Sequence, residues 1–241
     1  QMLLGVGAVA TKTYVDDVFS TYLYTGTGSS GKQIVNNIDL SNEGGMVWLK
    51  NRSSTGSNTI LDTVRTNGFD KSLYTDTSGS EVSGWSSTAN SNGFTLGQGY
   101  TNINGSGETY SSWTFRKAPG FFDVVTYTGT GSARTVAHSL GSVPGMVIIK
   151  RTNGAENWIV WHKSLPLRDG YDYTRQQLEL NTGTPAANLG GNTTWNDTKP
   201  SATNITLGTN SAVNENNATY VAYFFAGGES TAATARSVDF D

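Results

Sequence analysis

Phe19–Gly28 reads FSTYLYTGTG and Phe122–Gly131 reads FDVVTYTGTG, two extended, aromatic-rich runs that both close on Tyr-Thr-Gly-Thr-Gly. Working outward, later segments recur in the same order. Gly45–Lys50 (GMVWLK) returns as Gly145–Lys150 (GMVIIK), and Thr59–Asp62 (TILD) is answered by Trp158–Trp161 (WIVW). SLYTDT from Ser72 is echoed by QLELNT from Gln177, FTLG from Phe94 by ITLG from Ile205, and TYSSWTF from Thr109 by TYVAYFF from Thr219. Each echo comes about a hundred residues later, with small drifts that changes in surface loops absorb at low cost. The pattern is that of a duplicated unit.

Composition says what kind of unit. Charged residues make up 15% of the chain and apolar ones 36%, whereas 29 Gly punctuate runs rich in the 6 Trp, 11 Tyr and 9 Phe, which favours short strands and turns over helices. Six or more strands per copy, with the first and last matched across the copy, predict antiparallel sandwiches rather than a solenoid, whose repeat is shorter. The expected fold is all-β: two tandem homologous β-sandwich units of jelly-roll or concanavalin-like type behind a short N-terminal helix. The divisions are an attachment segment at 1–18, a first sandwich at 19–118, a second at 119–228, and a linker at 229–241 leading into a further module.

Within that frame, Val15, Val18, Phe19 and Tyr22 recur at helical spacing, which predicts two to three turns between Thr11 and Tyr22. GMVWLK has few polar residues and suits a strand buried on both faces. In the last strand of each copy, period-two alternation sets Trp113 and Phe115, with Tyr223 and Phe225, on one face, predicted to be the core. Tyr110, Ser112 and Thr114 fall on the other. Lys117–Gly120 (KAPG) is the expected joint, with the units side by side.

Some chemistries are disfavoured. Net charge is −3 with Lys and Arg scattered, which lacks the basic footprint of a nucleic-acid binder. There is no cysteine, hence no disulfide and no thiolate chemistry. Met2–Ala10 is far shorter than the ~20 apolar residues of a membrane span, so no membrane insertion is expected. Asn-x-Ser/Thr triplets at Asn51, Asn104, Asn192, Asn196, Asn204 and Asn217 are what so Asn/Ser/Thr-rich a chain contains by chance.

Gly26–Gln33 (GTGSSGKQ) has the glycine and lysine spacing of a phosphate loop, but Gln33 follows the lysine where magnesium needs Ser or Thr, and an extended run follows where a helix is needed. The second copy keeps the turn without the lysine, so a hairpin turn is the reading. His138 and His162 lack a nucleophile motif and read as solvated or structural. Asp62, Asp70, Asp76, Glu81 and Glu108 show no calcium-loop spacing. No catalytic, cofactor or metal residue is assigned, and the chain is not expected to be an enzyme. The candidate contact residues are Trp85, Tyr100, Trp161, Tyr171, Tyr173 and Trp195, loop aromatics suited to stacking on sugar rings or packing against a neighbouring subunit.

The long segment Trp113–Arg151, the opening Thr11–Gly26, Trp195-Asn-Asp-Thr and Asn216–Ala226 together resemble a repeated domain in large structural proteins of marine bacteriophages, cyanophages in particular. That resemblance implies a virion protein: a fibre or appendage on tail or head that links the particle to distal host-recognition modules. Ala235–Asp241 looks like the opening strand of a concanavalin-like lectin module lying further on. The implied partners are other virion proteins and further copies of the chain, a trimer by analogy with fibres, and a host surface glycan. The alternatives are a glycan-binding module and, third, a polysaccharide-degrading tail enzyme.

Overall fold

The computed structural model describes residues 13–65, 69–165, 174–183, 193–228 and 233–234. The chain is all-β, built from antiparallel sheets. In the first half, β1 (Thr13–Tyr14) and one helical turn, α1 (Val15–Val18), lead into β2 (Phe19–Thr25), β3 (Lys32–Val35), β4 (Gly45–Asn51), β5 (Thr59–Asp62), β6 (Ser72–Tyr74), β7 (Thr88–Asn90), β8 (Gly93–Leu96) and β9 (Thr109–Arg116). The second half contains β10 (Phe122–Thr128), β11 (Arg134–Ala137), β12 (Pro144–Arg151), β13 (Ile159–His162), β14 (Leu178–Glu179), β15 (Asn204–Leu207), α2 (Ser211–Asn214) and β16 (Thr219–Ala226). A last short strand, β17 (Ala233–Thr234), pairs in parallel with β1.

Strands β2-β9-β4-β5-β6 form one five-stranded sheet and β10-β16-β12-β13-β14 another, the same order in both halves. Beside them lie a three-stranded sheet, β3-β8-β7, and a two-stranded one, β11-β15. Three apolar layers separate the four sheets. Tyr24, Val47, Leu49, Leu61 and Tyr110 of the first five-stranded sheet meet Ile34, Phe94 and Leu96 of the three-stranded sheet. Tyr127, Val147, Ile149, Trp161 and Tyr220 meet Val136, Ile205 and Leu207 in the second half. The third layer lies between the two five-stranded sheets: Met46, Ile60 and Leu73 pack on Phe122, Val124, Ile148, Val160, Val221 and Tyr223. Both large sheets are therefore buried on two faces, as the few polar residues of GMVWLK predict for β4.

This stacking buries both faces of the last strands, so the expected core face holds for Tyr223, which is fully buried in the central layer, and falls short for Trp113. Tyr110, Ser112 and Thr114 of β9 are fully buried, while Trp113 and Phe115 are half-buried on the face turned to the other half. Tyr223 and Phe225 likewise belong to the central layer. Small polar residues are tolerated inside because their groups are bonded: Asn36 Nδ2 donates to Thr114 Oγ1 at 2.8 Å, and Ser112 Oγ to the Tyr22 carbonyl at 3.4 Å. The halves meet face to face, not side by side.

The expected helix shrinks to the single turn Val15–Val18, where the Tyr14 N–H donates to the Asp17 carboxylate at 3.0 Å. From Phe19 the backbone is extended, because β2 pairs with β9 over seven residues, and that ladder outweighs a short apolar periodicity. Thr11 lies outside the described residues. Among those described, no helix is long and apolar enough to cross a membrane.

Candidate functional site

The two Tyr-Thr-Gly-Thr-Gly segments show what the repeat is for. Each carries the chain from a large sheet to a small one, β2 to β3 and β10 to β11, so it is an inter-sheet corner and not the expected hairpin. Asn104 holds the first corner: its Oδ1 accepts from Thr27 N–H at 2.8 Å, its Nδ2 donates to the Ser29 carbonyl at 2.7 Å, and its own carbonyl accepts from Gly28 N–H at 2.9 Å. Asn214 does the same for Thr130, Ser132 and Gly131, at 2.9, 2.7 and 2.8 Å. A Cβ at Gly26 would stand 2.1 Å from the Gly105 carbonyl oxygen, and one at Gly129 2.1 Å from that of Glu215, so only glycine fits.

The corner's amides are thus already bonded to carbonyls and to an asparagine, which leaves no phosphate cradle. Lys32 lies 5.8 Å over the Tyr24 ring, and Arg134 lies 5.6 Å over Tyr127. The lysine that mimics a phosphate loop is one half of a cation–ring pair that the second copy makes with arginine. Behind each corner, Tyr24 stacks on Tyr110 and Tyr127 on Tyr220, both with ring centroids 5.0 Å apart. Burial raises the pKa of all four phenols, that of Tyr110 to about 12. Neither asparagine is visible as a partner from sequence, though both stand at matching places in the duplication. Asn51 and Asn104, two of the glycosylation triplets, are buried with their amides committed.

The aromatics expected in exposed loops are mostly inside. Trp85, Trp161 and Trp195 are all buried, Trp85 in the first half's core and the other two in the second's. Trp195 Nε1 donates to the Gln176 carbonyl at 3.0 Å. Loops folded back over open sheet ends need large rings to fill the gap, so a tryptophan flanked by Gly, Ser and Asn marks packing beneath the loop and not display upon it. Tyr171 and Tyr173 lie outside the described residues.

Tyr100 differs, with 48% of its surface exposed. It opens the turn that ends in the clamp, since Ile103 and Asn104 N–H both donate to its carbonyl at 3.0 and 2.7 Å. Its ring meets Trp85 edge-on at 4.8 Å, and Trp85 meets Tyr74 at 6.3 Å. With Val82, which is 42% exposed, and Asn102, these rings line a cleft of about 320 Å³. Trp85 Nε1 is buried without a hydrogen-bond acceptor among the described residues. Of the four candidate contact residues that are described, Trp85 and Tyr100 come together at this cleft.

A second cluster sits on the seam between the large sheets. Arg65 Nε donates to Asp62 Oδ2 at 2.7 Å, with both side chains buried, and the Tyr223 hydroxyl of the other half donates to the same oxygen at 2.7 Å. Lys71 holds Glu81 at 2.6 Å. Burial alone would lower the Arg65 pKa, but Asp62, with Tyr223 and Glu81 beside it, more than offsets that and raises the value; burial raises that of Tyr223. Lys150 is fully buried nearby, its Nζ donating to the Arg151 carbonyl at 2.7 Å, and desolvation lowers its pKa to about 8. Further bonds cross the same seam: Trp158 Nε1 donates to the carbonyls of Tyr74 and Thr77 at 2.9 and 3.2 Å, Glu81 N–H to that of Thr152 at 2.9 Å, and Glu156 N–H to that of Ser78 at 2.9 Å.

The remaining acids are engaged locally, Glu108 by Asn51 and Tyr110, Asp70 by Ser86 N–H, and Asp76 by Asn58 N–H. Among the described residues no three His, Asp or Glu side chains converge on a metal-sized site. His138 is buried against Phe224, its Nδ1 accepting from Leu140 N–H at 3.3 Å, and burial lowers its pKa. His162 Nδ1 accepts from Ser164 N–H at 3.1 Å.

Fold and site define an all-β protein of stacked antiparallel sheets with a buried polar seam and one open aromatic cleft. Residues 15–233 match DUF7483, described as a domain of unknown function, and the chain belongs to that family. The match runs through both copies of the repeat and the seam between them. No curated protein and no solved structure matches the chain.

Proposed function

We propose that this chain is a tandem pair of homologous β-sandwiches, residues 19–118 and 119–228, that serves as a rigid structural adaptor in a virion, joining the particle to distal host-recognition modules. One observation carries the reading. The large sheets share an apolar layer crossed by the Tyr223–Asp62 and Trp158–Tyr74 hydrogen bonds, a contact that favours one stiff body over a hinged pair. A spacer that must transmit force needs that stiffness, whereas a flexible tether does not. The resemblance of Trp113–Arg151 to repeated domains of cyanophage structural proteins points the same way, and a trimer follows by analogy with fibres.

The test is to label purified particles of the source phage with antibody against this chain and image them at low resolution. Label at a tail or head appendage is expected. Protein found only in lysate, with bare particles, overturns the proposal.

The cleft at Tyr100 favours a second reading, in which the same module binds a host glycan. An exposed ring beside Asn102 offers a sugar one face for stacking and a neighbouring side-chain amide for a hydrogen bond. A glycan array with Tyr100→Ala as control decides it: sugar-dependent signal lost in the variant supports the reading, and no signal from the intact chain removes it.

A further inference from the structure

The seam between the large sheets joins unlike surfaces of like units. Cross-strand register gives the first sheet the rows Phe19–Phe115–Met46–Asp62 and Thr21–Trp113–Trp48–Ile60–Leu73 on the face turned to the other half. The second sheet has Phe122–Phe225–Met146–His162 and Val124–Tyr223–Ile148–Val160–Leu178 in the same places. If equivalent strips met, burial would be equal in the two sets. It is not. Phe122, Val124 and Tyr223 are fully buried, whereas their counterparts Phe19 and Trp113 are half-buried and Thr21 is exposed. In the first sheet the fully covered residues lie instead toward the other edge: Met46, Ile60, Asp62 and Leu73.

The sheets are therefore offset. The β4-β5-β6 flank of the first covers the β10-β16-β12 flank of the second, which is why Tyr223 reaches Asp62 while the reciprocal residues, Trp113 and His162, stay half-buried. Such a heterologous contact leaves two flanks over. One is the β2-β9 strip of the first sheet at Thr21, Leu23 and half-buried Trp113; further along β9, Phe115 meets Phe122 and Phe225 of the other half. The other is the β14 flank of the second, with Leu178 half-buried and Leu180 38% exposed. These are the counterparts of the two flanks already joined. Leu23 is 64% exposed, and the second copy has Thr126, also exposed, in its place.

We propose that the open β2-β9 strip is an assembly surface, covered by the β14 flank of a second copy of this chain, so that the contact joining the two halves is repeated between molecules. The strip is continuous with the internal apolar layer, and its mate is the counterpart of the flank that covers the equivalent strip in the second half. A head-to-tail contact of this kind closes into a ring or runs on as a filament. A ring of three chains places six large sheets around one axis. The inference stands on the packing alone, independently of the virion reading.

The experiment combines sedimentation with engineered cysteines, which are unambiguous in a chain that has none. At micromolar concentration the wild type is expected as a closed ring or a longer series of 25.7 kDa chains, and Leu23→Asp and Leu180→Asp each as monomers with unchanged circular dichroism. Leu23→Cys and Leu180→Cys, mixed and oxidised, should yield a disulfide-linked pair that neither forms alone. A monomeric wild type, a Leu23→Asp chain that still assembles, or Leu23→Cys linking only to itself overturns the proposal. So does assembly that first appears when residues 1–12 are removed, since that segment would then be the occupant of the strip. Should an aspartate variant fail to fold, the cysteine pairing still decides.

Discussion

The two halves share a corner and differ at the seam. Tyr24 and Tyr127 each donate to a carbonyl on the far side of the corner, Ile103 at 2.6 Å and Val213 at 2.7 Å, and each corner is closed by one buried asparagine. At the seam the correspondence breaks. Asp62 of β5 faces Met46 across the sheet where His162 of β13 faces Met146, and half-buried Lys50 is matched by fully buried Lys150. The tyrosines and asparagines of the corner stay alike, and at the seam the Phe115/Phe225 and Met46/Met146 pairs are kept while Asp62/His162 and Trp113/Tyr223 diverge, because an offset contact asks different things of equivalent positions.

Asp62→Ala against His162→Ala probes that difference most strongly. Removing Asp62 leaves Arg65 buried without its carboxylate and the Tyr223 hydroxyl without its acceptor, so a loss of about 3–5 kcal/mol is expected in chemical unfolding. His162→Ala at the matching place should cost less than ~1 kcal/mol. Equal losses would mean that the seam is not where the halves differ.

Lys150→Met acts on the same seam through pH. The folded pKa is lowered to about 8 from an ordinary 10.5, so the unfolded chain binds the extra proton between those values, and wild-type stability contributed by this group rises with pH across that window and is lost as pH falls through 8. At about 1.4 kcal/mol per unit, the difference reaches up to ~3 kcal/mol. Lys150→Met should abolish that rise, measured as unfolding free energy from pH 7.5 to 9.0, where tyrosines of the unfolded chain are still about nine-tenths protonated. An unchanged slope would show that the ammonium finds water.

The shared corner predicts likeness instead of difference. Asn104→Ala and Asn214→Ala each strand the Thr27 or Thr130 N–H and a carbonyl, costing about 2 kcal/mol apiece and by similar amounts. Widely unequal values would deny that the corners are one device. The smallest effect belongs to Tyr100→Ala, less than ~1 kcal/mol on thermal stability, because the ring is half in solvent.

Much of the architecture was legible. The recurrence of Tyr-Thr-Gly-Thr-Gly and of GMVWLK as GMVIIK located the strands and their order, since strand runs and glycine turns are local properties. The candidate site was legible only in part: Tyr100 is exposed as expected, while Trp85, Trp161 and Trp195 are interior. Asn104 and Asn214 escaped notice because an asparagine in a loop looks the same whether it is solvated or clamps a corner more than seventy residues away in the chain.

By itself the sequence determined the all-β class and the duplication, because strand propensity and period-two alternation are set within a few residues; that the glycine turns are inter-sheet corners was decided in tertiary structure, since a Cβ at Gly26 or Gly129 would meet the distant carbonyl of Gly105 or Glu215. Only the tertiary structure decided which face of each large sheet meets which neighbour. Alternation assigns Tyr110 and Trp113 to opposite faces of β9 but says nothing of what covers them, and when both faces are buried the answer lies in contacts between residues as distant as Asp62 and Tyr223.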